Sequence, residues 1–300
     1  MLRFKADRKT LIFMFITTSL LIIQWQFSTL DQGNFSALNI FLFIWAMFMA
    51  VTVATMTHNH NHLPMWKNKY LNILTDWWLT CFYGFPVFAW IPTHNKNHHR
   101  LNNKEGDYTI TYRFSEKNNF FTLISYPTIS GFYQQKAIKD HLSELKKTNK
   151  EKFWLCIAQY FVLAAFIAVF LILDWKKALL YVVIPQQFSL FSVLIFNYLQ
   201  HVHADEESET DHSRNFVGGL NFFLFNNGFH TVHHDRAGLH WSEAPAAHAK
   251  IAHKIDPELN QRSFWWYIIK TYFIGPLTPK ARRERSRRLD RIAKQKMQSA

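Results

Sequence analysis

The chain has few of the residues that build covalent frameworks or loose linkers. Its two cysteines, Cys81 and Cys156, stand far apart in apolar surroundings with no CxxC spacing. Neither a disulfide framework nor a zinc ribbon can be assembled from them, and they read as small core or lipid-facing residues. Glycine and proline number only 9 each, and neither a low-complexity linker nor an internal repeat is present. At 49% apolar residues the chain is too hydrophobic for disorder. Acidic residues are scarce beside basic ones, 21 against 34, leaving a net charge of +13. That excess suits nucleic acid or an anionic membrane surface. No nucleic-acid motif occurs, so nucleic acid is not an expected partner.

What the chain does have is aromatic and apolar bulk, with 29 Phe and 11 Trp. A mean hydropathy of -0.13 averages apolar blocks with a very basic remainder. Residues 10–29 form a mostly uncharged run behind Arg3, Lys5, Arg8 and Lys9, with no small-x-small cleavage site after it. An uncleaved span is expected there. A second run covers 37–56, a third 153–173 and a fourth 178–199, each long enough for a hydrocarbon core of about 30 Å. The links at Leu30–Ser36 and Asp174–Lys177 are short, so the four spans pair into two hairpins. Basic residues at both ends belong in the cytoplasm by the positive-inside rule. Residues 57–152 and 200–277 then form a cytosolic cap. Broken apolar stretches at 73–92, 120–133 and 264–277 suit amphipathic helices lying in the membrane interface. From Lys280 to Lys296 nine basic residues face only Glu284 and Asp290, and the arginine cluster at 282–288 suits lipid headgroups. A solvated helix would look the same.

No histidine precedes His58, and all 16 fall outside the span interiors. Eleven lie in four clusters, at His58-x-His60-x-His62, His94-x-x-x-His98-His99, His201-x-His203 and His230-x-x-His233-His234. Every cluster maps to the cytoplasmic side of a topology deduced from charge alone. On a helix, residues three or four apart share a face. His58 with His62, His94 with His98, and His230 with His233 and His234 can therefore each present imidazoles to one point. His60 and His203 fall out of phase with their neighbours. So many imidazoles exceed the needs of one ion, which implies two metals, and neutral imidazole suits iron, zinc or copper. His141, His212, His240, His248 and His253 stand alone and read as supporting or surface groups.

The HxxxH, HxxxHH and HxxHH boxes, with paired membrane hairpins before the first and third, resemble the membrane fatty-acid desaturase and hydroxylase superfamily. Resemblance extends from about Thr10 to Pro245. It implies an all-α membrane protein of four transmembrane helices in two hairpins, carrying a cytosolic helical cap with a histidine-rich di-metal site. One desaturase-like domain would cover 1–277, followed by a basic tail at 278–300. The resemblance also implies two iron ions, O₂ as oxidant and a fatty acyl substrate. No electron-donor domain is fused, so a separate ferredoxin- or cytochrome-type donor is expected. Carried onto this chain, the metal ligands are His58, His62, His94, His98, His99, His230, His233 and His234. Asn197-Tyr-Leu-Gln-His201 is similar to the NxxxH element of acyl-CoA desaturases, which makes His201 a ligand and gives Asn197 a metal-bound water. An interhelical hydrogen bond is the other use for that amide. The middle box departs from that branch, having three residues between its first two histidines where the branch has two. Acyl-lipid desaturases, hydroxylases and carotenoid ketolases share the longer form.

An unactivated methylene has no acidic proton, so acid–base chemistry cannot break it and iron with O₂ must carry the step. Desaturation is the expected outcome, with hydroxylation or ketolation as the alternative. Carboxylates should orient the ligand rings, and Asp107, Asp205, Glu206, Asp211 and Asp235 are nearest. Aromatic residues at Trp77-Trp78 and Phe222-Phe223 are candidates to line an acyl tunnel, or simply to pack a core. A metal transporter or sensor is the competing class. Transporters place ionisable groups near the bilayer midplane. These spans offer only amides such as Gln186 and Gln187.

Overall fold

The computed structural model describes residues 1–277 and 284–299. Its long helices follow the apolar runs. Helix α1 (Arg8–Phe27) lies between single turns at Lys5–Asp7 and Leu30–Gln32. Helix α2 (Ala37–His62) starts at Ser36, whose hydroxyl accepts from the Asn39 N–H. Next come α3 (Lys69–Tyr83), a π-helical segment at Ile91–His98 and α4 (His99–Leu101). Helices α5 (Phe120–Thr148) and α6 (Lys150–Leu173) precede α7 (Trp175–Ala178), which the Asp174 carboxylate caps. A π-helical turn at Leu179–Val183 opens into α8 (Ile184–His201). The remainder is short pieces: α9 (His230–Asp235), α10 (Ala244–Ile251), α11 (Phe264–Ile268), α12 (Gly275–Leu277) and α13 (Arg287–Gln298). Strands β1 (Asn215–Phe216) and β2 (Asn260–Gln261) pair in parallel, Asn215 opposite Asn260.

Four stretches are long and apolar enough to cross a membrane: Lys5–Gln32, Ala37–His62, Lys150–Leu173 and Trp175–His201. They enclose the four runs expected from sequence. Helix α6 shows why water is the wrong solvent for them. It buries only Cys156 and Gln159, and leaves Phe161 and Ile172 exposed. A helix with every backbone bond satisfied internally and an apolar exterior is what hydrocarbon accepts. The second and fourth stretches do not stop at the apolar boundary but continue to His62 and His201.

The chain divides into two compact units, Met1–Pro92 with Lys136–Val193, and Thr93–Gln135 with Leu194–Ala300. Within the first, Leu21, Tyr181 and Val182 pack with Trp25, Phe82, Phe166 and Phe170. Two polar side chains there are matched to main-chain carbonyls. Gln186 Nε2 donates to the Cys81 carbonyl at 2.6 Å, and Ser189 Oγ to the Ala50 carbonyl at 2.8 Å. Gly84 ends α3 at φ +86°, and a Cβ there would stand 2.5 Å from the Gln186 Cβ, so no other residue fits.

In the second unit Leu123, Tyr126, Tyr198, Leu199, Val202, Phe216, Phe264, Tyr267 and Tyr272 form the core. Trp265, Trp266 and Phe273 remain exposed, the aromatic face that the sequence assigns to the interface. Two sequence expectations need correction. The stretch 120–133 is not broken, because α5 runs through Pro127 and Gly131 for 29 residues. Pro127, the eighth residue of that helix, removes a single N–H and one bond to the preceding turn, and the flanking turns hold. The arginine cluster is not free for lipid headgroups where it is described. Arg287 pairs with Asp256 at 2.9 Å and Glu258 at 3.1 Å, and Arg288 with Glu116 at 3.2 Å and with Glu206. Arg291 holds Asp205 at 2.6 Å and Glu206 at 2.8 Å. Lys280, Arg282 and Arg283 lie outside the described residues.

Candidate metal centre

Four histidines from three segments meet in the second unit. The π-helical segment supplies His98, the end of α8 supplies His201, and α9 supplies His230 and His234. One ring nitrogen from each lies within 4.8 Å of the others. His98, His201 and His230 are fully buried. Nε2 of His201 stands 2.9 Å from Nε2 of His230. Two nitrogens each about 2.1 Å from one cation, at a right angle, would be about 3.0 Å apart.

Their outer nitrogens explain the orientation. His98 Nδ1 stands 2.8 Å from Asp107 Oδ2, and the carboxylate also accepts from the Asn103 N–H, the Thr109 N–H and the Thr109 hydroxyl. Burial alone would raise the Asp107 carboxyl, but His98 and Thr109 beside it hold it well below the usual carboxylate range. An ionised Asp107 places the His98 proton on Nδ1, and the Nε2 lone pair points away, buried with no hydrogen-bond partner among the described residues. His201 repeats the scheme with Nδ1 3.3 Å from the His212 carbonyl. Among the described residues neither nitrogen of His234 has a hydrogen-bond partner, and burial pushes that ring's pKa far below the ordinary imidazole value. Four buried ring nitrogens crowded on one point cannot all be satisfied by hydrogen bonds to one another, which costs several kcal/mol unless a cation joins them. The donor set therefore fits a transition metal.

A second group gathers His94, His99 and His233. His99 Nε2 is 3.1 Å from His94 Nε2 and 2.9 Å from His233 Nε2. One ring proton cannot serve two facing nitrogens, so this group fits a cation as well. Helical spacing pairs His94 with His98 and His230 with His233, and the structure divides both pairs. The reason is the π-helical register of 91–98, whose i→i+5 bonds bring the first and sixth residues onto one face. That joins His94 to His99. In α9 the residues four apart, His230 and His234, share the four-histidine group, and His233 goes to the other.

In the first unit, His58 and His62 lie four apart near the end of α2 with ring centroids 4.8 Å apart, and the His58 ring meets Trp90 edge-on. His60 turns elsewhere, with Nδ1 accepting from the Met65 N–H and Nε2 3.4 Å from Asp76. His203 faces the Glu116 carbonyl at 3.0 Å and Glu284 at 3.4 Å. Asn197 Nδ2 donates to the Tyr126 hydroxyl at 2.7 Å. Of the five candidate orienting carboxylates, Asp107 alone meets a ring of the four-histidine group in this way. Asp235 reaches His212 at 3.2 Å, Asp211 accepts from the Asp256 N–H, and Asp205 and Glu206 bind arginines. Sequence reasoning missed Thr109 and Tyr126. Thr109 lies two residues past Asp107, where a hydroxyl can lock a carboxylate, but no spacing rule flags Tyr126.

A family model described as fatty acid desaturase matches residues 35–291, a stretch that holds every clustered histidine. No curated protein and no solved structure matches the chain.

Proposed function

The chain belongs to the fatty acid desaturase family, and on that premise we propose that it introduces a double bond into a fatty acyl chain at a di-iron centre. The observation that carries this is the pair of histidine groups, in each of which one ring nitrogen per residue converges within 4.8 Å of the others. In this proposal His98, His201, His230 and His234 hold one iron. His94, His99 and His233 hold the other, and the first histidine box adds His58 and His62 to the ligand set that the family implies. Two irons with O₂ supply the oxidant that an unactivated C–H bond requires. The chain's own groups orient and exclude. Asp107 fixes His98 and the His212 carbonyl fixes His201, so neither ring turns when the substrate arrives. Asn197, one turn before His201, holds a water at the centre through its carbonyl oxygen, since Tyr126 takes its N–H. Electrons come from a separate ferredoxin- or cytochrome-type donor.

Four spans in two hairpins with both termini cytoplasmic follow from the flanking positive charge. The histidine-bearing segments then form a cytosolic cap. Single cysteines at Asn34 and Asp174 should label from outside, and one at Ser208 should not. Labelling at Ser208 from outside would reverse the orientation.

The deciding experiment takes the purified protein and the lipids of cells with and without the gene. About two tightly held irons per chain and a new acyl double bond are expected. A new hydroxyl instead would move the chain to hydroxylation. Readily exchanged zinc with unaltered lipids would replace the enzyme by a metal transporter or sensor.

A further inference from the structure

The Tyr126 hydroxyl is the meeting point of two segments that each carry a proposed ligand. It accepts from Asn197 Nδ2 at 2.7 Å and donates to the Thr109 carbonyl at 2.6 Å. Asn197 stands four residues before His201 on the same helix, so its place is coupled to that ring through one helical turn. Thr109 stands at the other end. Its hydroxyl lies 2.7 Å from Asp107 Oδ1 and 2.8 Å from His98 Nδ1, and its N–H meets the same Asp107 oxygen at 2.7 Å. The Tyr126 ring is buried and tilts against Tyr198 at 5.0 Å, and Ser130 also stands beside its hydroxyl.

We propose that Tyr126 is a positioning residue for the four-histidine group, its hydroxyl tying Asn197 on the His201 helix to the Thr109 turn that fixes Asp107 against His98. The assignment rests on the di-iron reading, which gives that group a metal to hold. Removing the hydroxyl leaves an amide donor and a carbonyl acceptor without their partner in a buried place. The ring itself, and the core packing it supplies, remain. Tyr126 touches neither group of histidines in this account and acts through its two partners.

The test is Tyr126→Phe, compared with Asn197→Leu and with the double variant. Thr109→Val is prepared as well, because it breaks the same chain at its other end should Tyr126→Phe fold poorly. Expected for Tyr126→Phe are full iron content, a KM within about twofold of wild type and a kcat lower by about 10- to 100-fold, the range for groups that orient metal ligands. The Mössbauer spectrum of the iron, or the visible spectrum of a cobalt-substituted protein, should shift in Tyr126→Phe and in Thr109→Val. In the double variant the combined loss should be smaller than the product of the two single losses, because both variants break the Asn197–Tyr126 bond. Wild-type kcat and an unshifted spectrum in Tyr126→Phe overturn the proposal. So do losses that multiply in the double variant, which would mark Tyr126 as packing only. A wild-type chain that holds no iron and alters no lipid overturns the di-iron reading itself, a result distinct from either.

Discussion

The two histidine groups differ in what stands behind their rings. In the four-histidine group every ligand comes from one compact unit, and two rings have their outer nitrogens set by groups of that unit. His98 leans on a buried carboxylate with four partners, and His201 on a main-chain carbonyl. The other group has three members in that unit, and His99 and His233 among them are only partly buried. Rings more open to solvent leave it the less ordered of the two. A preorganised set binds its cation without reordering side chains, whereas an assembled one must bring segments together first. The first site should therefore be the tighter, and the second the one that releases its ion sooner.

The largest expected effects come from the ligands. His98→Ala or His201→Ala should abolish turnover and lower bound iron by about one per chain, while the protein still inserts. His94→Ala or His99→Ala should abolish turnover too. The difference should appear on chelation, since in the wild type one iron should leave well before the other, and His99→Ala should retain only the slow one. Release of both irons at a single rate in every variant would break the distinction between the groups. Full turnover in any of the four variants would remove that residue from the centre.

Asp107→Asn comes next in size. The substitution keeps the shape and removes the charge that sets the His98 tautomer, and such changes cost about 10- to 100-fold in metal affinity. Affinity at the slow site should fall by that factor, with the fast site unchanged. Equal weakening of both sites would show that Asp107 supports the fold rather than one ring.

Much of this molecule is legible in sequence, and the boundary of legibility has a physical cause. Hydropathy alone locates the four apolar stretches because bilayer solvation acts on composition, not on detailed packing. Clusters of histidine are equally visible. Their sorting is not, because it depends on the π-helical register at 91–98, and a five-residue spacing such as His94 to His99 looks wrong for an α-helix. The second unit is built from short helices and left-handed residues such as Asn102, Asn103, Phe225 and Asn226, whose dihedrals no periodicity announces. Partners of charge are also hidden. The arginines of α13 look like a membrane-binding tail until Asp205, Glu206 and Asp256 are seen beside them.

Glu284 offers a smaller effect that still bears on the four-histidine group. Arg214 is fully buried, its guanidinium pairs with Glu284 and donates to the Leu199 carbonyl, and its N–H donates to the Gln200 carbonyl at 2.6 Å. It thus steadies the end of α8 just before His201. Burial would raise the Glu284 carboxyl, but Arg214 and then His203 bring it down to about 2. A lowered carboxylate stabilises the fold above its unfolded pKa of about 4.3 and loses that contribution as pH falls through its folded value. Stability should therefore drop between about pH 4 and pH 2. Glu284→Gln should remove this dependence and cost about 3 kcal/mol at neutral pH, because Arg214 is left buried without its counter-charge. Melting curves across that pH range test it, and an unchanged acid limb in Glu284→Gln would discard the assignment.

The smallest effect should come from His203, which the His201-x-His203 spacing offers as a ligand and the structure turns toward Glu116 and Glu284. It sits at φ +60°, a conformation that asparagine tolerates better than most side chains. His203→Asn therefore keeps the backbone and removes only the reach of the ring, which costs the 3.0 Å hydrogen bond to the Glu116 carbonyl and the contact with Glu284. A loss of about 1–2 kcal/mol is the scale for one such buried partner. Iron content and the chelation rates of both sites should match wild type. If His203→Asn instead loses iron from the slow site, the four-histidine group has a fifth member, and its preorganisation would have to extend across the turn at His203.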